Sequence, residues 1–333
     1  MEVWLHSFSF AHRVAPAAAD AERLGFDGFI LADSQNLNAD IWVELALAGA
    51  ATSSIRIGPG VTNPETRDVA VTASAAATLH DETGGRAVLG LGRGDSALSQ
   101  LGRRPVPLDR FEDALVDLQG YLAGDAVARD GTDSKIRWLP DDRLAKVPVS
   151  VAASGPRVIA IGARHAERID FTVGAEHDRV RWAVGTARAA ARERPVSLGA
   201  FVNVAVHDDR AVARDLVRGS TAILARFSAE GAPPNGLSDV TRTGITRLAA
   251  EYDPSRHGDA SAPAARHLDD DFVDRFAAIG RADEVTERLA GLAALGIDRV
   301  IVVAGSLDAD PGLVAESNAR FAEQVLPALH DTR

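Results

Sequence analysis

The chain has no cysteine, one methionine and two tyrosines. Without cysteine there is no disulfide framework, no thiolate metal site and no thiol nucleophile. Lysine is nearly absent too, with Lys135 and Lys146 the only examples. The abundant arginine in its place reads first as a bias of composition, shared with the abundant alanine, and only second as a set of anion grips. Basic charge is in deficit: the net charge is −11 and the isoelectric point is near 5.3. A nucleic-acid backbone needs a basic face, so nucleic acid is not an expected partner. No apolar run approaches the ~20 residues that cross a bilayer. The start, Met1-Glu2-Val3-Trp4-Leu5-His6, lacks the basic residues and long apolar core of a signal peptide. The expectation is a cytoplasmic, soluble protein with no membrane contact.

Several catalytic signatures are missing as well. Gly90-Leu91-Gly92-Arg93-Gly94 has the wrong final spacing for a dinucleotide fingerprint. There is no Walker loop, no histidine pair at metal-ligand spacing and no Gly-x-Ser-x-Gly elbow around Ser154. Asp269-Asp270-Asp271 resembles a metal cluster only superficially. Three adjacent carboxylates cannot all face one ion, and acids favour helix starts.

What is present is a large apolar fraction, 46% of 333 residues, in a strand–helix alternation. Strands are expected at 3–6, 26–31, 55–57, 87–91, 147–151, 169–173, 196–206 and 300–303. Helices are expected at 14–24, 41–51, 68–79, 108–122, 156–165, 179–194, 211–228, 283–295 and 313–329. Eight strands alternating with helices predict a (β/α)8 TIM barrel in a single domain of residues 1–333. A doubly wound open sheet is the alternative. Two polar, Pro- and Gly-bearing stretches, 123–144 and 232–267, break the rhythm. They are read as insertions over the strand ends at the mouth, where long loops often form lids.

Two Gly-rich loops end apolar strands: Gly58-Pro59-Gly60-Val61-Thr62-Asn63-Pro64 and Gly90-Leu91-Gly92-Arg93-Gly94-Asp95-Ser96. Tight turns alone explain Gly and Pro. Their company at predicted strand ends, with His6, Asp33, Ser34, Asp95 and Ser154, points to a ligand site, since barrels place chemistry there. Asp95 is either a carboxyl group in the mouth that exchanges a proton or an N-cap for the segment from Ser96. Ser154-Gly155-Pro156 opens a helix after the fifth strand. Ser suits the cap and Pro the first turn, and the same geometry directs free N–H groups at an anion.

The succession from Gly60-Val61-Thr62-Asn63-Pro64 through Ala70-Val71-Thr72-Ala73 to Thr83-Gly84-Gly85-Arg86-Ala87-Val88-Leu89-Gly90-Leu91-Gly92-Arg93-Gly94-Asp95-Ser96 resembles the bacterial-luciferase-like superfamily. The nearest resemblance is to its deazaflavin-dependent, methylenetetrahydromethanopterin reductase-like branch. It resumes at Ala152-Ala153-Ser154-Gly155-Pro156 and at Ile279-Gly280-Arg281-Ala282-Asp283. The resemblance implies a TIM barrel with coenzyme F420, or alternatively FMN, at the C-terminal mouth. It implies a non-proline cis peptide at Gly60–Val61, with Val61 behind the ring and Asn63 at its polar edge. It implies that Asp33 contacts the ring or its side chain, and that Asp95 lies near the reactive centre. Some members follow the acid at Asp33 with a catalytic histidine, where this chain has Ser34. His6 and Ser34 are weaker candidates that face a small organic substrate. The resemblance assigns the cofactor phosphate to Ser154 and Gly155 together with Gly174 and Ala175, and Glu176 is excluded by its charge. It also implies a homodimer. Three functions follow: an F420-dependent oxidoreductase, an FMN-dependent monooxygenase, or a non-catalytic flavin-binding barrel.

Overall fold

A computed structural model describes residues 1–139, 145–229 and 239–331. Eight parallel strands form the barrel. They are β1 (Glu2–Phe8), β2 (Gly28–Ala32), β3 (Arg56–Pro59), β4 (Leu89–Leu91), β5 (Val149–Ala153), β6 (Arg168–Phe171), β7 (Ser197–Val206) and β8 (Arg299–Val303). Neighbours run β3-β2-β1-β8-β7-β6-β5-β4. The ring closes between β3 and β4, where Val88 N–H donates to the Ile57 carbonyl at 2.9 Å and Thr62 N–H to that of Gly90 at 3.0 Å. The sheet is therefore a closed barrel, and the open-sheet alternative is set aside.

Alternation along each strand sorts side chains into two environments. Val3 on β1 and Val300 and Val302 on β8 pack outward against the helices. Trp4, Ile30, Phe201 and Ile301 point inward and fill the barrel. Register brings Trp4 beside both Gly28 and Ile301. A side chain at Gly28 would collide with the Trp4 indole, so the glycine makes room for the largest ring. Below these residues the barrel floor is polar. Arg299, 1% exposed, ion-pairs with Asp170, and Asp170 also accepts from Ser150 Oγ. The Arg299 and Arg168 guanidinium carbons lie 5.3 and 5.2 Å from the centre of the Trp4 ring. Pairing and cation–π contact offset the cost of burying this charge.

Helices cover the outside, many started by an acidic cap. Asp40 accepts from Trp42 and Val43 N–H at the start of Ile41–Ala51, Asp68 from Ala70 N–H before Val69–Glu82, and Asp209 from Ala211 N–H before Arg210–Ala225. Asp269 caps Asp270–Phe276, and Asp270 pairs with Arg214 and Arg218. The aspartate run is thus a capped helix start, as its spacing predicts.

Three features differ from expectation. A short strand, Ala278–Gly280, pairs with the far end of β7, at Val204–Val206. Three residues are too few to show an alternation. The expected final helix is Pro311–Arg320, a π-helical turn at Phe321–Val325, and Leu326–His330. The stretch 123–144 does not lie over the mouth, as far as its described residues go. It follows a helix and precedes a strand, and it forms a hairpin of Val127–Arg129 and Thr132–Ser134. Arg129 pairs with Asp68 and Trp138 Nε1 donates to Ser74 Oγ, which sets the stretch against the outer wall. Residues 140–144 and 230–238 lie outside the described chain. The rest of 232–267 holds the helix Asp239–Glu251 and the turns Pro254–Arg256 and Pro263–His267.

Candidate active site at the barrel mouth

Side chains at the C-terminal ends of the strands enclose a cavity of about 490 Å³, in the range of small-molecule sites. The β3 loop forms one wall. The Gly60–Val61 bond is cis, where the resemblance predicts it. Val61 lies along the β4 glycines: a side chain at Gly92 would come within 2.9 Å of Val61 Cγ2. Asn63 Oδ1 accepts from Glu65 and Thr66 N–H, both at 3.0 Å. This ties the carbonyl end to its own loop, and Nδ2 has no partner among the described residues.

Asp33, at the end of β2, is buried. It accepts from Thr62 Oγ1 at 2.7 Å, Arg67 Nη1 at 2.8 Å and Gln35 Nε2 at 2.5 Å. Burial raises its carboxyl above the ordinary range, while the Thr62 and Arg67 contacts act in the opposite direction. Ser34 Oγ lies 2.9 Å from Ser96 Oγ, joining the β2 and β4 loops. His6 faces inward at the end of β1, edge-on to Phe8 and Phe201 at 5.9 and 5.8 Å. Burial lowers its imidazole to about 4 despite a hydrogen bond to the Gly60 backbone, so it is neutral at physiological pH.

Asp95 occupies the N-cap position of Ser96–Ser99 without capping it. Its carboxylate instead forms an ion pair with Arg226. The pair gives Asp95 a second role, as the anchor of Arg226, beside the proton exchange expected of it.

The cavity brings together His6, Asp33, Ser34, Gly60, Val61, Asn63, Asp95 and Ser154. It does not include the other three expected residues. Gly155, not Ser154, is the N-cap of Pro156–His165, and a side chain there would meet open space. Gly174 sits against the Phe276 ring, and Ala175 N–H is taken by the Phe276 carbonyl at 2.7 Å. Ala175 therefore offers no free N–H to a phosphate, and neither Gly174 nor Ala175 lines the cavity. Glu176 pairs with Arg275. The residues that sequence reading misses come from the second insertion and the helix before it: Arg226, Tyr252 and His257. Nothing in 232–267 has a motif, and Arg226 is one arginine among many.

Relatives share this architecture across nearly their whole length. The chain is 30% identical over 306 residues to a 5,10-methylenetetrahydromethanopterin reductase of Archaeoglobus fulgidus, covering 86% of this chain and 87% of that protein. It is 28% identical over 310 residues to the enzyme of that name from Methanolobus tindarius, covering 88% and 90%. The structure of coenzyme F420 dependent tetrahydromethanopterin reductase from Methanopyrus kandleri aligns over 98% of both chains, with a TM-score of 0.74 and 22% identity, a likeness of fold. Residues 4–299 match one family pattern from the first strand to the last, and the chain belongs to the luciferase-like monooxygenase family.

Proposed function

We propose that this protein is an F420-dependent oxidoreductase that transfers hydride between the deazaflavin and an organic substrate. The observation that carries the reading is the cavity where Asp33, Gly60, Val61, Asn63 and Ser154 converge at strand ends, in a chain whose relatives include 5,10-methylenetetrahydromethanopterin reductases. The residues fit a flat heterocycle with a polar edge. Val61 offers an apolar surface braced by the β4 glycines. Asn63 Nδ2 and Ser154 Oγ line the cavity with no hydrogen-bond partner among the described residues.

A bound deazaflavin supplies a hydride at ring carbon C5. Val61 would cover one face of the ring and leave the other for substrate. Asn63 would donate to the polar edge, and Asp33, fixed by Thr62 and Arg67, would accept from a hydroxyl of the attached chain. Ser154 and the free N–H groups after Gly155 would hold a phosphate. A cytoplasmic location and a homodimer belong to the same proposal. The homodimer is supported by an exposed apolar face on Ile41–Ala51 and Val69–Glu82, where Val43, Leu47 and Val71 are each more than half exposed.

Absorbance titration with F420 and with FMN tests the assignment. F420 is expected to bind and FMN not to displace it. Tight FMN binding without F420 binding would overturn the proposal in favour of a monooxygenase, and binding of neither would overturn both.

A further inference from the structure

The mouth contains two neutral imidazoles, and only His6 belongs to the barrel. The other, His257, comes from the second insertion. Its position is fixed from behind. Leu307 N–H, just after β8, donates to the Gly258 carbonyl at 2.7 Å. Asp308 accepts from Ala260 and Ser261 N–H at 2.7 and 3.0 Å. Tyr252 OH lies 2.7 Å from His257 Nδ1. The Arg226 guanidinium stacks 4.1 Å from the Tyr252 ring centre and 4.7 Å from that of Phe227. Arg226 in turn is held by Asp95.

This chain of contacts selects a tautomer. A phenol is a stronger hydrogen-bond donor than an imidazole N–H, and the cation on its ring strengthens it further. This favours Tyr252 as the donor to Nδ1, which would leave the proton of His257 on Nε2. Burial, Arg226 and His6 lower His257 to about 3, so the ring stays neutral. Burial pushes the Tyr252 phenol up to about 12, so it keeps its proton at rest.

We propose that His257 is the proton donor of the site, delivering its Nε2 proton to an uncharged carbonyl or imine group of the substrate, with Tyr252 and Arg226 as the relay behind it. The proposal rests on the oxidoreductase reading above. The balance is as follows. The substrate carbon gains two electrons as hydride from a reduced deazaflavin, which is thereby oxidised. The substrate oxygen or nitrogen takes the Nε2 proton. Nδ1 takes the phenolic proton of Tyr252, so the imidazole ends neutral. The resulting phenolate faces the Arg226 guanidinium. An uncharged acceptor suits a wall that carries Phe8 and Ile223, both of which a side chain at the adjoining Gly258 would meet. Of the two arginines that line the cavity among the described residues, Arg226 faces Asp95 and Arg93 donates to the Val106 carbonyl.

Nitrogen-15 NMR of histidine-labelled protein, with His257 assigned from the spectrum of His257→Gln, tests the tautomer without any cofactor. At pH 7 Nδ1 is expected to be the acceptor nitrogen and Nε2 the protonated one. In Tyr252→Phe the two are expected to average. A proton on Nδ1, or a tautomer unmoved by Tyr252→Phe, would overturn the relay. With F420 bound, saturating cyclohexanone is expected to shift Nε2 and cyclohexanecarboxylate is not. No shift with the ketone would overturn the donor role. His257→Gln keeps a hydrogen-bond donor without a transferable proton. It is expected to retain F420 affinity within about twofold while ketone or imine reduction falls about 100-fold. Undiminished reduction would overturn the proposal. Failure of the wild-type protein to bind F420 would instead overturn the underlying oxidoreductase reading, while the NMR result would still decide the tautomer.

Discussion

At the scale of single residues, burial keeps the mouth histidines uncharged, and that has a thermodynamic consequence. His6 and His257 titrate near 4 and 3 in the folded chain and near 6.5 when unfolded. Between these values the unfolded chain binds more protons than the folded one, so stability must fall as pH drops below 6.5. Each histidine contributes a slope approaching about 1.4 kcal/mol per pH unit. Their contribution is complete above pH 6.5 and is lost progressively down to about 4 for His6 and 3 for His257. Urea unfolding of wild type and His257→Gln between pH 7 and 5 checks this. The variant is expected to show the shallower decline, and parallel curves would refute the assignment.

At the scale of elements, the insertion reaches the mouth because one helix has a gap in its surface. A side chain at Gly219, in Arg210–Ala225, would run into the backbone of Gly258, Asp259 and Ala260. Gly219→Val is expected to cost about 1–3 kcal/mol and to broaden the His257 NMR signals as the strap formed by residues 252–261 is pushed off the helix. Unchanged stability and sharp signals would contradict that packing. The contrast between strap and barrel explains what the sequence could reveal. Strand–helix alternation and the loops around Gly60 and Asp95 follow local rules of periodicity and backbone freedom, so eight strands and most of the mouth residues are legible. Tyr252, His257 and Arg226 meet through tertiary packing alone, with no periodic pattern to mark them. The same limit explains Gly174 and Ala175. Their loop position is predictable, but the Phe276 carbonyl that claims the Ala175 N–H is far away in sequence. The Arg226 partner of Asp95 is out of reach of sequence reading for a related reason, since the two are far apart along the chain.

At the scale of the whole molecule, two regions are open to test. If the face carrying Val43, Leu47 and Val71 joins two copies, the native mass by light scattering is expected to be twice 35.0 kDa. Leu47→Glu with Val71→Glu is expected to halve it, and a native monomer would refute the dimer. The other is the buried barrel floor. Arg299→Leu leaves the buried Asp170 without its guanidinium partner, and is expected to cost about 3–5 kcal/mol in chemical denaturation. A loss under 1 kcal/mol would show that the floor tolerates an unpaired acid. That stopper of Arg299, Asp170 and Trp4 also governs traffic. A vessel corked at its base fills and drains at its rim alone.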